Sequence, residues 1–423
     1  MSLDFDHDHL KGFLAQKDFK GILPKIKQAH LALHQRSGKG KEFLGWLDLP
    51  GRIEEKSLQE INDLAEEVRN DSEALICIGT GGSYLGARAT IECLGADKLP
   101  VFYAGHNISS DELYHLLKSL KDKRTSVAFI SKSGTTTEPA LAFRVVKKWM
   151  QGKYKDHELR KRIICVTAAK TGALLKIVQK EGYRTFVIPE DVGGRFSVLT
   201  PGGLVPLAVA GVDIKSLVQG ACQGQTEYAS PDLENNSAYQ YAASRYLLYK
   251  KGKVIEVLSS FYPNMFFMGE WWKQIFAESE GKEGRGIFPA TLKMSDDLHA
   301  MGQWMQEGVR NVFETFLKVD KVNHEIVIPH LEQDLDGFNC VAGKDLEFVN
   351  KKAYEATAQA HYEGNVPNMT ITLCQADSFH LGHLFYFFEK AVAISGYLLG
   401  INPFDQPGVE AYKNKMFKLL GKK

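Results

Sequence analysis

The rhythm of apolar and polar positions changes along this chain. Between Leu10 and Gly45, apolar residues such as Leu14, Ile22 and Ile26 recur at helical spacing with lysines opposite them. A largely helical segment is predicted there, with Pro24 marking a break or a new first turn. From Asp71 the texture becomes short, continuous apolar runs separated by helical stretches. Ala74 to Gly79, Val101 to Ala104, Ser126 to Ser131, Ile163 to Val166 and Thr185 to Ile188 read as strands. The alternation resumes with Lys253 to Leu258, His324 to Ile328 and Asn368 to Leu373, while Phe266 to Ser279 and Ser378 to Gly396 read as helices. Apolar strands lacking polar alternation are covered on both faces, as in parallel sheets packed between helices. The pattern therefore predicts two α/β units in series, divided between Pro201 and Asn235.

Bulk properties sharpen this picture. A chain of 423 residues exceeds one typical core, which agrees with two units. A formal net charge of +1 supplies no basic field for nucleic acid or an anionic membrane, so an anionic ligand must be captured by a local site. Cys77, Cys93, Cys165, Cys222, Cys340 and Cys374 are scattered without a Cys-x-x-Cys pair, and buried free thiols in a reducing compartment are expected. Met1 to His9 is acidic and lacks the apolar stretch of a signal peptide, and apolar runs such as Leu204 to Val212 are too short to span a bilayer. A cytoplasmic location is expected.

Two strand-to-helix junctions carry candidate anion chemistry. Gly79-Thr80-Gly81-Gly82-Ser83-Tyr84-Leu85-Gly86 follows the first strand, where glycines let backbone approach an anion and a helix start offers free N–H groups. A dinucleotide fingerprint fails because Tyr84 stands where its third glycine belongs, and no Gly-Lys-Ser/Thr follows to make a nucleotide phosphate loop. A plain tight turn is the alternative. Ser131-Lys132-Ser133-Gly134-Thr135-Thr136-Thr137-Glu138-Pro139 ends another strand, and its five hydroxyls and lysine suit a phosphomonoester. A Ser/Thr-rich helix cap is the alternative there, although a cap needs one such side chain.

Candidate reactive groups lie further on. Gly193-Gly194-Arg195-Phe196-Ser197 sets flexible backbone beside a permanent guanidinium. Glu278, Glu280 and Glu283 close an apolar helix, where apolar neighbours such as Phe276 and Ala277 would raise the pKa of Glu278 toward a useful base value. Taken alone, all three read as exposed acids. His299 precedes a helix, His380 and His383 lie three apart on one, and His7 and His9 sit in the acidic tail. No cysteine or carboxylate completes a convincing metal set with them, so no metal is assigned.

Glu190-Asp191-Val192-Gly193-Gly194-Arg195-Phe196-Ser197 and Phe404-Asp405-Gln406-Pro407-Gly408-Val409-Glu410-Ala411-Tyr412-Lys413 resemble, in order, the two signature stretches of the glucose-6-phosphate isomerase family. The hydroxyl loops resemble those of sugar isomerase domains, Glu278-Ser279-Glu280-Gly281-Lys282 resembles the segment bearing the family's base, and His299 resembles its ring-opening histidine. The resemblance spans Gly79 to Lys413 and is of the short bacterial type; Gly134 stands where longer members carry a bulky residue, a change that bears on loop rigidity.

The fold so implied is two sugar-isomerase-type α/β/α sandwich domains with mainly parallel sheets, plus helical N- and C-terminal segments. Expected boundaries are a helical segment over 1–50, a first domain with the phosphate loops over 51–205, and a second domain over 206–423. The implied activity is interconversion of glucose 6-phosphate and fructose 6-phosphate in glycolysis and gluconeogenesis, through a cis-enediol intermediate. Glu278 would move the proton, His299 and Lys413 would open the sugar ring, and Arg195 would stabilise developing charge. Gly82, Ser83, Ser131, Lys132, Ser133, Thr136, Gly194, Gln274 and Gln406 would bind the substrate. No cofactor is implied, because the carbonyl already acidifies the C2 proton. The family's histidine comes from the neighbouring subunit, which implies a homodimer. A related phosphosugar isomerase, or a non-catalytic phosphosugar-binding protein of the same fold, is the alternative.

Overall fold

Ten strands form two five-stranded sheets in the computed structural model, which describes residues 2–421. They are β1 (Leu3–Asp6), β2 (Ala74–Ile78), β3 (Val101–Ala104), β4 (Thr125–Ile130), β5 (Ile163–Thr167), β6 (Arg184–Val187), β7 (Ile255–Ser260), β8 (Phe288–Lys293), β9 (Val312–Lys321) and β10 (Asn368–Gln375). The first sheet runs β3-β2-β4-β5-β6 and is parallel throughout. The second runs β1-β10-β9-β7-β8 and is parallel except for β1, which pairs antiparallel with β10. Every residue of β2, β4 and β5 is buried, as expected of central strands covered on both faces.

Three expectations fail. His324 to Ile328 is not a strand, although Val327 makes one isolated bridge to Asp345. The strand next to β10 is instead β9, which starts at Val312. The acidic tail, where no strand was expected, supplies β1. Pro24 neither breaks nor starts a helix but lies inside the continuous helix Gln16–His34, whose buried Ile22, Ile26, Ala29 and Leu33 hold it down through the missing N–H bond.

Helix Leu85–Leu94, which follows β2, packs on helix Phe266–Glu280, which follows β7. Behind them runs the largely buried helix Ser378–Leu399, packed on helices Ile214–Glu227 and Ser237–Lys250. A buried ionic cluster anchors the end of helix Phe266–Glu280. Arg245 bonds Glu256 through Nε at 2.6 Å and Glu280 through Nη1 at 2.5 Å, and all three side chains are fully buried. Glu280 is therefore a structural anchor and not an exposed acid. Cys77, Cys93 and Cys165 are buried and free, Cys222 and Cys374 half-buried, and Cys340 exposed. Among the described residues, no helix is long and apolar enough to cross a membrane, and no cluster of His, Cys, Asp and Glu could hold a metal ion.

Candidate active site

Two turns at the carboxyl edge of the first sheet touch helix Phe266–Glu280, and a third loop at the same edge is tied to the segment leading into the second of them. The turn Gly81–Ser83 follows β2, the loop from Ser131 follows β4, and the turn Gly194–Phe196 lies beyond β6. Ligands of open α/β sheets sit at this edge. The first and third loops touch through backbone. A Cβ on Gly82 would lie 1.9 Å from the Gly194 carbonyl oxygen, so only glycine lets the chains approach this closely. The Ser197 hydroxyl donates to the Gly194 carbonyl at 2.6 Å and closes the turn.

That turn buries Arg195, which is 2% exposed. Its Nε donates to Ser279 Oγ at 2.8 Å, and Nη1 donates to Glu278 Oε1 at 3.1 Å and to Gln406 Oε1 at 3.3 Å. Nη2 donates to the carbonyls of Pro403 at 2.6 Å and Asp405 at 3.1 Å. Burial lowers the guanidinium's pKa from its ordinary value, opposed by the charges of Glu278 and Asp405. Gln274 and Glu278, one helical turn apart, project together, and Gln274 Nε2 donates to Glu278 Oε2 at 3.1 Å. The surroundings expected of Glu278 were apolar; the carboxylate in fact faces Arg195 and Gln274. Phe276 is fully buried, with the Arg245 guanidinium 4.0 Å from its ring centroid, and Ala277 is exposed.

The hydroxyl loop after β4 is shaped by its own bonds. Ser131 is buried and its Oγ accepts from Gly134 N at 2.9 Å, while Ser133 Oγ accepts from Thr135 N at 3.1 Å. Thr136 stands at the N-cap of helix Thr137–Gln151 without a side-chain cap bond. Gly134 has φ +72°, and a Cβ there would lie 2.3 Å from Leu174 N, so glycine is what packs this loop against the start of helix Ala173–Glu181. Lys132 turns away from the hydroxyls: its Nζ donates to the carbonyls of Glu190 at 2.6 Å and Val192 at 3.1 Å, tying the loop to the segment that leads into Arg195. Burial lowers its pKa.

Two of the sequence candidates stand apart from this cluster. His299 ends the short turn Asp296–His299, is exposed, and makes no hydrogen bond to Glu278, Arg195 or Gln406 among the described residues. Lys413, in helix Pro407–Leu419, pairs with Glu410 at 2.9 Å. Conversely, Ser279 and the Asp405 carbonyl bond Arg195, and Lys282 bonds Asn402 and Asp405, contacts that sequence spacing does not reveal.

The sequence model of the phosphoglucose isomerase family matches residues 56–422. The chain belongs to the phosphoglucose isomerase family. It is 50% identical over 429 residues to the glucose-6-phosphate isomerase of Alkaliphilus metalliredigens, covering 99% of this chain and 95% of that one. Identity to the Heliobacterium modesticaldum enzyme of the same name is 52% over 408 residues, covering 94% and 91%. Among solved structures, a hypothetical protein from Thermus thermophilus superposes with a TM-score of 0.90 at 28% identity, covering 99% of each chain. A glucose-6-phosphate isomerase from Chlamydia trachomatis gives 0.82 at 18% identity, covering 99% of this chain and 88% of that one, and so supports the fold alone.

Proposed function

We propose that this member of the phosphoglucose isomerase family interconverts glucose 6-phosphate and fructose 6-phosphate. The observation that carries the reading is the Glu278 carboxylate 3.1 Å from a buried guanidinium, beside glycine- and hydroxyl-rich loops on one sheet edge. Residues 51–205 form the domain of the phosphate loops, and 206–423 the domain that brings the base. Ser83, Ser131, Ser133 and Thr136 bind the phosphate with backbone N–H groups, and Lys132 adds positive charge behind the loop. Gln274, Gln406 and the backbone of Gly82 and Gly194 orient the sugar.

The bound sugar is cyclic, so His299 and Lys413 pass protons between ring oxygen and hydroxyl to open it. Glu278 then takes the proton from C2 and returns it at C1 on the same face, through the cis-enediol. One base serves both carbons because both present a proton to one side of the chain. Arg195, held by five hydrogen bonds, offers its charge where negative oxygen develops, without reorganising at the moment of reaction. A homodimer brings the neighbouring subunit's histidine to each site. Ile326, Val327, Leu331, Leu335 and Phe338 give the second unit an exposed apolar stretch suited to such an interface.

A coupled assay of fructose 6-phosphate conversion tests the activity, and Glu278→Gln tests the base. The variant keeps shape and hydrogen bonding but cannot accept a proton, so turnover falls by about 10²–10⁴ while substrate still binds. Turnover above roughly a tenth of wild type removes Glu278 from that role.

A further inference from the structure

We infer that Lys282 is a positioning residue for this reaction: its ammonium clamps the loop Asn402–Gln406 to the end of the helix that carries Glu278, and so sets where Arg195 and Gln406 stand. The inference rests on the site reading above. Lys282 lies just past the end of helix Phe266–Glu280, four residues after Glu278. Its side chain is 8% exposed and its Nζ lies 3.0 Å from Asp405 Oδ1. The same ammonium donates to the Asn402 carbonyl at 2.5 Å. Asp405 in turn accepts from Asn402 Nδ2 through Oδ2 at 2.9 Å, so the Asn402 carbonyl and the Asp405 carboxylate meet one cation and the two residues are also joined to each other.

The opposite side of this loop faces Arg195. The carbonyls of Pro403 and Asp405 both accept from Nη2, and Gln406 Oε1 accepts from Nη1. The loop is thus held between two buried cations, one on the base-bearing segment and one on the turn after β6. Among the described residues both hydrogen bonds of Nη2 go to this loop, so a carbonyl displaced on the Lys282 side weakens Nη2's hold while Nε and Nη1 stay tied to Ser279 and Glu278. Phe404 lies between, 2% exposed and packed in tilted contact with Trp46 and Phe196 and edge-on to Tyr397, so its ring is held inside the core. Desolvation holds the Lys282 pKa below its ordinary value, with the Asp405 hydrogen bond opposing and the Arg195 charge reinforcing the shift. Removing either member of the Lys282–Asp405 pair leaves the other half-buried without its counter-charge.

The test compares Lys282→Met, Lys282→Arg, Asp405→Asn, the Lys282→Met/Asp405→Asn double variant and Glu278→Gln in the full chain, by coupled assay with fructose 6-phosphate and by thermal melting. Misplacing a positioned group by about 1 Å costs roughly 10² in rate, so Lys282→Met is expected to lose about that much in kcat while the folded fraction at assay temperature stays near that of wild type. Lys282→Arg, which keeps the cation, regains most of the loss. Asp405→Asn loses a comparable amount, and the double variant is no slower than the slower single variant, because both break one clamp. A Lys282→Met enzyme with wild-type kcat and KM overturns the inference, as does a kcat loss that merely follows the folded fraction. Where Lys282→Met does not fold, Asp405→Asn decides: wild-type kcat in that variant overturns the clamp. If Glu278→Gln remains active, the site reading itself fails. If Glu278→Gln is inactive and Lys282→Met is normal, only the clamp fails.

Discussion

Arg195 and His299 are candidates for one reaction and stand in opposite physical conditions. Arg195 is buried and spends all its nitrogens on five hydrogen bonds within the chain. His299 is exposed at the end of a short turn, and Lys413 sits on a terminal helix with Glu410 as its partner. The difference separates groups that the fold of one chain brings together from groups that stand outside that cluster. Charge stabilisation depends on dipoles fixed before the reaction, which suits the buried half. Proton transfer to a ring oxygen needs a group that meets the sugar from outside.

Breaking the fixed half has the largest expected effect. Arg195→Lys keeps the charge but loses the planar fork that reaches Ser279, Glu278 and two carbonyls together. Loss of a preorganised donor costs about 10²–10³ in kcat, and kcat is expected to fall by that amount with KM changed much less. Steady-state kinetics on fructose 6-phosphate measures it. A raised KM at unchanged kcat makes Arg195 a binding group only.

The frame behind the site carries a pH dependence of its own. His383 is fully buried, accepts or donates to Ser2 Oγ at Nδ1, and has Glu227 Oε2 at 3.6 Å from Nε2. Burial, with the charge of His380, lowers its pKa to about 4. In the unfolded chain the imidazole titrates near 6.5, so below that pH the unfolded state takes up a proton the folded state refuses. Its contribution is present above about 6.5 and is lost as pH falls toward about 4, by roughly 3 kcal/mol in total. Melting of His383→Gln at about pH 7 and about pH 4.5 is expected to show a flatter acid loss than wild type. Equal slopes in the two proteins place the acid sensitivity elsewhere.

How much of this was legible in the sequence follows the same division. The apolar runs from Ala74 to Ile188 mark β2 to β6 within a residue or so; in the central β2, β4 and β5 this is because strands covered on both faces need continuous apolar side chains, whereas edge strand β6 is largely exposed. β1 was invisible because Leu3-Asp4-Phe5-Asp6 is a short edge strand whose only partner lies more than 300 residues away in sequence. β9 was missed because Phe313, Phe316 and Leu317 alternate with Glu314, Thr315 and Lys318, and buried Glu314 gains His361 and Ser259 as partners only in three dimensions. At the site, Glu278, Arg195, Gln274 and Gln406 were readable from motifs. Lys132 and Lys282 were not assigned their contacts, since a lysine bonding distant carbonyls leaves no local pattern.

The hydroxyl loop tests whether its polar side chains serve ligand or fold. Ser131 Oγ already accepts from Gly134 N, so its proton is free to be donated. A hydrogen bond to a charged group is worth about 1.5–3 kcal/mol, and Ser131→Ala with Ser133→Ala is expected to weaken fructose 6-phosphate binding by tenfold or more. Competitive inhibitors lacking a phosphate keep their affinity. Equal losses for both ligand types assign the loop to structure.

The smallest departure from wild type is a recovery, and it bears most directly on the contrast between Arg195 and His299. If the exposed half belongs to a partner's site, Glu278→Gln and His299→Ala subunits fail for complementary reasons. Each homodimer carries a defect in both of its sites and is nearly inactive. When the two variants are mixed, dissociated and reassociated at random, about half of the dimers are hybrids under two-fold symmetry. In each hybrid one site collects both defects and the other collects neither, so about a quarter of all sites regain the wild-type set. Activity rising toward that fraction, with hybrid dimers counted independently by mass spectrometry, supports the shared site. Hybrids formed in full with activity still at the level of the single variants would place His299 and Glu278 in the same chain's site, and the surface histidine would then have to reach inward across its own domain.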